Sequence, residues 1–256
     1  GDVYYFIKRQ LLHGVLVGLI AAWIVSRIDY RVWKKYALVF LIFNIILLLL
    51  CFVPAFQSSG VSANRWINIG FINFQPSELL KISYILFLAT LLSSFSLKKR
   101  RELIGFPFLC FLFTLFLVSY IIAQQPATGT LVVLFLSSLT VYMAAGSSIF
   151  QFLFFGLLGA LGLGFIIKIT PYRLERVMSF LSPQQDPLGQ GYHIMQSLLG
   201  IGSGGLLGIG FGRSIQKFNY LPESHTDAIF SIIAEEFGFL GSLTVIVLFL
   251  ILILIG

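Results

Sequence analysis

The chain has 256 residues, of which 58% are hydrophobic and 11% charged, and its 17 Lys and Arg against 10 Asp and Glu give a net charge of +7. Soluble domains are about 25% charged and at most about 50% apolar, so this composition excludes an ordinary soluble domain. A membrane helix needs about 20 apolar residues. The positive charge suits the cytoplasmic loops of a membrane protein, and the absence of a basic stripe on a soluble fold argues against nucleic-acid binding.

Apolar runs bounded by charged or turn residues predict seven transmembrane helices in the chain. In chain order they cover residues 11–26, 37–54, 77–95, 103–123, 130–147, 148–169 and 227–256. The long segment 170–226 contains aromatic residues and a glycine-rich stretch, Gly200–Gly212, which predict a packed turn or re-entrant element rather than disorder. The predicted fold is an all-α, polytopic transmembrane helix bundle, with one integral membrane domain over residues 1–256 and a long loop at 170–226.

Two short basic connections predict the orientation of the chain in the membrane. Each contains four basic residues: Arg27, Arg31, Lys34 and Lys35 in the first, and Lys98, Lys99, Arg100 and Arg101 in the second. Two spans separate these connections, so both can face the cytoplasm, where basic residues collect. Alternation of the spans then places residues 55–76, 124–129 and 170–226 on the extracytoplasmic side.

Three polar clusters fall on this outer side. The stretch RWINIGFINFQPSELLK, residues 65–81, fits either a helix start with a local ion pair or a phosphate site containing Arg65 and Lys81. The stretch QQPATGT, residues 124–130, indicates only a turn. The stretch LPESHTDAIF, residues 221–230, places His225 and Asp227 at the outer end of the last span. There, Thr226 or Asp227 could equally cap the helix.

The charged residues of the outer side suit an anionic amphiphile that enters from the lipid phase. Ionisable residues at membrane depth are costly, so Glu235 and Glu236 must face protein or water, which leaves helix packing and cavity lining as alternatives. Cys51 and Cys110 lie in apolar runs without metal-ligand spacing, and we predict no metal site. Six basic residues could clamp a pyrophosphate: Arg65, Lys81, Arg173, Arg176, Arg213 and Lys217.

Several long stretches resemble the SEDS proteins, the FtsW, RodA and SpoVE family of peptidoglycan polymerases. They include GDVYYFIKRQL, SRIDYR, the 65–81 stretch, and the run from PYRLERVMSFL through GRSIQKFNYLPESHTD to IIAEEFGFLG. The similarity covers essentially the whole chain, and GRSIQKFNYLPESHTD is more similar to the FtsW and SpoVE branch than to RodA. The family has ten transmembrane helices, so the resemblance implies that this chain lacks the first and at least the last two.

The resemblance implies glycosyl transfer at the outer face of the bacterial inner membrane. In the family, lipid II is polymerised into glycan strands with release of undecaprenyl pyrophosphate, and a class B penicillin-binding protein supplies the partner transpeptidase. Arg65, Lys81, Arg213 and Lys217 are then expected to bind the pyrophosphate, with His225 and Asp227 at the acceptor site. No cofactor is predicted, and a requirement for a divalent cation stays open.

The chain departs from the family pattern at the polar turn. The pattern Q/E-P-D-x-G-T carries the acid that the resemblance implies as catalytic, whereas this chain has Ala127 at that position. An alanine methyl cannot accept a proton, and loss of a general base costs about 10²- to 10⁴-fold in rate. An engineered inactive variant, a natural noncatalytic homologue, or a relocated acid such as Asp227 or Asp186 would explain the departure. Val61, Ser62 and Ala228 are smaller departures.

Two other functions therefore stay open beside the polymerase. A flippase for a lipid-linked precursor would use the same basic residues, and the membrane-buried Glu235 and Glu236 favour it. A noncatalytic division scaffold would bind its transpeptidase partner without polymerising lipid II, and Ala127 favours it.

Overall fold

The structure, a computed structural model, describes residues 7–8, 10–53, 66–69, 72–95, 105–125, 127–185, 189–217 and 227–255. The described chain is almost entirely helical, which confirms the predicted all-α bundle. A π-helical segment, Gln10–Leu16, leads into the first α-helix. The helices are α1 (Val17–Ser26), α2 (Tyr30–Leu50), α3 (Pro76–Ser93), α4 (Phe106–Gln124), α5 (Thr128–Ala144), α6 (Ile149–Ile169), α7 (Pro171–Leu181), α8 (Gln190–Ser203) and α9 (Ile229–Ile255).

Five of these helices are long and apolar enough to cross a membrane: α2, α3, α4, α6 and α9. The apolar segments 10–26 and 128–144 are shorter. Each of the seven predicted spans overlaps one of these helical segments. The largest difference is α2, which begins at Tyr30 rather than at residue 37, because the Asp29 side chain accepts a hydrogen bond from the Arg31 backbone N–H at 2.8 Å. This N-cap starts the helix among the basic residues that the sequence assigned to a loop.

The chain divides into two compact units, Gly1–Ala160 and Leu161–Gly256. The single membrane domain over 1–256 stays a prediction. In the first unit, α3 packs against α2 and α5, and α4 packs against α5. Phe111 of α4 stacks on Tyr142 of α5 with 4.3 Å between ring centroids, and Phe155 of α6 meets Phe111 edge-on at 4.8 Å. Such aromatic pairs contribute about 0.5–1.5 kcal/mol beyond their burial, and they fix the three helices together.

A small β-hairpin precedes α3 in the first unit. Strand β1 (Ile67–Ile69) pairs antiparallel with β2 (Ile72–Phe74), with Ile67 opposite Phe74 and Ile69 opposite Ile72. Pro76 then occupies the first turn of α3, where its missing N–H costs nothing. The hairpin therefore lies within the first polar cluster, and α3 begins directly after it.

The second unit contains the predicted 170–226 loop, which is largely helical where the structure describes it. Helix α7, a 3-10 turn (Pro183–Gln185) and α8 follow one another, and α8 packs against α9. The 27-residue α9 is broken at Gly238, whose φ of 68° and ψ of −162° are not helical. After α8, residues Gly204–Lys217 form a glycine-rich turn, hereafter the strap, that lies against this break.

Candidate functional site

The first candidate region is the start of α3. Lys81 forms an ion pair with Glu78, with 2.9 Å between Nζ and Oε2, and the Glu78 side chain is more than half exposed. Exposed ion pairs contribute about 0–1 kcal/mol, so an anion could draw Lys81 away from Glu78 at little cost. The structure therefore shows the local ion pair at this helix start, and the pyrophosphate contact of Lys81 stays a prediction. Its predicted companion Arg65 lies outside the described residues.

The second candidate region, also in the first unit, is the polar turn between α4 and α5. Gln125 is buried, and its side-chain amide donates to the Leu48 carbonyl of α2 at 3.4 Å. Ala127 is 4% exposed and occupies the N-cap position of α5, where no side chain accepts a hydrogen bond from the first helical N–H groups. The methyl group at residue 127 therefore fills a position at which an Asp, Asn or Ser would cap the helix.

The candidate region of the second unit is the strap, which inserts into the hydrogen-bond ladder of α9. At the break, the carbonyls of Glu235 and Glu236 accept from the N–H groups of Ile209 and Gly210, at 3.0 and 3.1 Å. The freed N–H groups of Phe239 and Leu240 donate to the carbonyls of Gly205 and Leu206, at 2.9 and 3.2 Å. Backbone groups buried in a membrane protein need such partners, so the strap satisfies the groups that the break exposes.

The two buried glutamates hold the strap through their side chains as well. Glu235 and Glu236 are 2% and 7% exposed. The Glu235 carboxylate accepts from the backbone N–H of Ile215 at 3.1 Å, from that of Gln216 at 3.4 Å, and from the Ser214 hydroxyl. These contacts support packing, one of the two alternatives that the sequence left open for these residues, with the strap as the packing partner.

Lys217 is the cation that balances this cluster. Its ammonium lies 2.7 Å from Oε1 of Glu236, and the same oxygen accepts from the Ser214 backbone N–H at 3.3 Å. Lys217 is therefore tied to a buried carboxylate, which gives it a structural role on the strap. Its predicted contact with pyrophosphate stays a prediction. The sequence offered no sign of this pair, because the two residues are nineteen positions apart in the chain.

Arg213 and Asp227 differ from Lys217 in that both are exposed. Arg213 lies on the strap, and Asp227 lies two residues before α9 begins at Ile229. Within the described residues, the ion pairs are those of Lys81 and Lys217, so neither Arg213 nor Asp227 belongs to one. Of the predicted site residues in the second unit, these two are therefore exposed, while His225 and Asp186 lie outside the described residues.

Among the residues that the structure describes, no group of three or more His, Cys, Asp or Glu side chains is placed to hold a metal ion. Lys81 and Ala127 belong to the first unit, and Arg213, Lys217 and Asp227 belong to the second.

Comparison with known proteins gives the family. The family model of the FtsW, RodA and SpoVE cell cycle proteins matches residues 1–256. The chain is 38% identical over 256 residues to stage V sporulation protein E of Bacillus subtilis, covering 98% of this chain and 68% of that protein. It is 40% identical over 246 residues to a probable peptidoglycan glycosyltransferase FtsW of Buchnera aphidicola, covering 95% of this chain and 60% of that protein.

A solved structure shows the same fold. It is described as "Structural coordination of polymerization and crosslinking by a peptidoglycan synthase complex", and one of its chains superimposes with a TM-score of 0.71 at 26% identity. The match covers 98% of this chain and 68% of that one. The chain thus spans about two thirds of the length of these relatives. With its five long apolar helices, it is a multi-pass membrane protein that belongs to the FtsW/RodA/SpoVE family of cell cycle proteins.

Proposed function

We propose that this chain is the membrane-embedded core of a peptidoglycan glycosyltransferase that polymerises lipid II at the extracytoplasmic face of the bacterial inner membrane. The names of its relatives support this, since several are probable peptidoglycan glycosyltransferases. The similar solved chain comes from a complex that combines polymerization with crosslinking, which supports a class B penicillin-binding protein as the partner.

The proposed reaction joins two lipid-linked sugars. The acceptor hydroxyl attacks the anomeric carbon of the donor, the new C–O glycosidic bond forms, and the bond between that carbon and the pyrophosphate oxygen breaks. The hydroxyl proton must pass to a base, and the departing pyrophosphate carries the electron pair of the broken bond. A carboxylate near the hydroxyl and cations near the pyrophosphate would supply these two needs.

Asp227 is our candidate for the base, and its exposure is the observation that carries this assignment. Ala127 cannot accept a proton, and the carboxylates of Glu235 and Glu236 are buried and bound to the strap. Asp227 is an exposed carboxylate in the same unit as the exposed cation Arg213. We assign Arg213, in the same unit as Asp227, to the pyrophosphate, because a guanidinium gives bidentate contacts. The pyrophosphate contact of Lys81, in the first unit, stays a prediction.

The test is lipid II polymerisation by the purified full-length protein with its transpeptidase partner, read as glycan chains on a gel. Asp227→Asn should slow polymerisation by about 10²- to 10⁴-fold, the usual effect of losing a general base. Glu175→Gln removes another exposed carboxylate of the same unit and is the matched control, expected to keep the wild-type rate. Wild-type activity in Asp227→Asn would overturn the assignment.

Ala127→Asp separates the remaining explanations in the same assay. If only Ala127→Asp makes glycan, the base belongs at position 127 and the chain as it stands is inactive. Partner binding without glycan from any variant would favour the scaffold, the function that Ala127 itself suggests. The contacts of Glu235 and Glu236 with the strap give these two residues a packing role, so they no longer favour the flippase over the polymerase.

A further inference from the structure

Helix α7 has an apolar side that points away from the protein. Leu174, Val177, Met178 and Leu181 follow the i, i+3, i+4, i+7 pattern that places side chains in one stripe along a helix. Leu174, Met178 and Leu181 are 43%, 50% and 69% exposed. A short helix in water would pack this stripe against the protein. The exposure of the stripe therefore indicates that something other than water surrounds it.

The side of α7 that meets the protein lies nearly opposite the apolar stripe. Ser179 is the buried residue of the helix. At about 100° per residue, Ser179 lies roughly 150° around the helix from the centre of the apolar stripe. Since α7 contacts α8 and the 3-10 turn, its orientation is fixed by packing within the second unit, and the stripe is left facing outward.

The position of α7 in the chain shows what surrounds the stripe. Helix α6 is apolar and long enough to cross a membrane, and it ends at Ile169. Thr170 alone separates it from α7, with an extended backbone (φ −106°, ψ 105°), and Pro171 then starts the new helix. One residue spans at most about 3.6 Å, so α7 begins at the membrane boundary where α6 ends.

The charged and aromatic residues of α7 suit the same location. Arg173, Glu175 and Arg176 lie outside the apolar stripe, and the Arg176 guanidinium lies over the Tyr172 ring at 5.7 Å. Tyrosine favours the membrane–water interface, and arginine binds phosphate oxygens, so the exposed side chains of Tyr172, Glu175 and Arg176 can face headgroups and water. Helices with this division of residues lie in the plane of the interface.

We propose that α7 is an interfacial helix, which lies along the bilayer surface with its Leu174–Leu181 stripe in the acyl-chain boundary and its arginines at the level of the phospholipid phosphates. The occupant of the exposed stripe is the lipid bilayer itself, continuous with the lipid around α6. This inference does not depend on the polymerase activity, because it concerns the placement of the loop that follows α6.

Spin labels on the full chain in vesicles of phosphatidylcholine and phosphatidylglycerol test the proposal. Met178→Cys and Leu174→Cys carry a label on the stripe, and Glu175→Cys is the matched control on the polar side. The native chain, with Cys51 buried and Cys110 partly buried, gives the background signal. The label positions are exposed, so the variants should fold, and an unchanged melting temperature would verify it.

The readout is the accessibility of each label to oxygen, which partitions into lipid, and to a water-soluble nickel chelate. We expect the labels at 174 and 178 to collide mainly with oxygen and the label at 175 mainly with nickel. Nickel access at all three positions would place α7 in water and overturn the proposal. Shielding of 174 and 178 from both reagents would also overturn it, because protein rather than lipid would then cover the stripe.

Discussion

Lys217, which sequence alone assigns to a ligand, stabilises the fold through its ion pair with Glu236. The Glu236 carboxylate is buried, and its Oε1 accepts from Lys217 Nζ and from the Ser214 N–H. Removing one member of such a pair leaves the other charge buried without its partner, which is costlier than removing both. The pair therefore holds the end of the strap to α9.

Lys217→Met should lower the stability of the protein by about 2 kcal/mol, since it leaves the Glu236 charge uncompensated. Arg213→Met, which changes an exposed cation of the same strap, is the control and should shift stability by less than about 0.5 kcal/mol. The double variant Lys217→Met/Glu236→Gln should recover part of the loss. Thermal unfolding of the purified protein in detergent measures all three. Equal effects of Lys217→Met and Arg213→Met would contradict the structural role.

Ala127 allows a test that separates helix capping from catalysis. Ala127→Ser supplies a side-chain oxygen to the uncapped first N–H groups of α5 and should raise stability by about 0.5–1 kcal/mol. Ala127→Val, whose side chain cannot cap the helix, is the control and should not raise the stability. The melting temperature gives the stability and glycan synthesis gives the activity. If Asp227 is the base, Ala127→Ser should leave the polymerisation rate unchanged. A loss of stability in Ala127→Ser would show that the N-cap site does not accept a polar side chain.

At the scale of elements, the break in α9 depends on glycine in both partners. A Cβ on Gly238 would lie 2.7 Å from the Leu206 carbonyl oxygen, and its φ of 68° is one that other residues rarely adopt. A Cβ on Gly208 would meet the backbone of Glu236 and Phe237 just as closely. Without these glycines the strap could not approach close enough to bond with the broken helix.

Three glycine-to-alanine variants give a graded prediction for this element. Gly202→Ala, in α8 with open space around its Cβ, should be neutral or stabilising by up to about 1 kcal/mol. Gly205→Ala, with a φ of 54° but no close neighbour, should cost about 1–2 kcal/mol. Gly238→Ala combines strain with overlap and should cost more than about 3 kcal/mol. Thermal unfolding ranks Gly202→Ala and Gly205→Ala. If Gly238→Ala does not fold, the yield of monodisperse protein measures its effect. Equal stability of Gly202→Ala and Gly238→Ala would contradict this account of the break.

The sequence predicts the position of a helix or strand where that position depends on one local property, such as a long apolar run. Long apolar runs located α3, α4 and α6 to within a few residues, because twenty apolar residues in lipid must form a helix. The strands β1 and β2, three residues each, were missed because such short runs carry little periodic signal. The helical break at Gly238 and the Glu236–Lys217 pair were also missed, because each depends on contacts between distant parts of the chain.

At the scale of the whole molecule, the proposed activity depends on orientation in the membrane. The basic connections predict that the exposed group Arg213 is extracytoplasmic, in the segment 170–226, and that Asp227 lies at the outer end of the last span. The opposing signal comes from Lys8 and Arg9, which precede the first span on that side. Basic residues in long loops such as 170–226 carry little weight, because long segments cross the membrane largely regardless of their charge.

Labelling of single cysteines decides this orientation. Arg31→Cys lies at the exposed start of α2 within the first basic cluster, and Gln184→Cys lies at an exposed position of the 3-10 turn after α7. A membrane-impermeant maleimide should label Gln184→Cys in spheroplasts and Arg31→Cys only in inside-out vesicles. The unsubstituted chain controls for Cys51 and Cys110. The opposite pattern would place Arg213 and Asp227 in the cytoplasm, where an extracytoplasmic polymerase could not use them. Labelling of both cysteines from one side would instead show that the chain crosses the membrane an even number of times between the start of α2 and the 170–226 segment. The predicted set of spans between them would then be wrong.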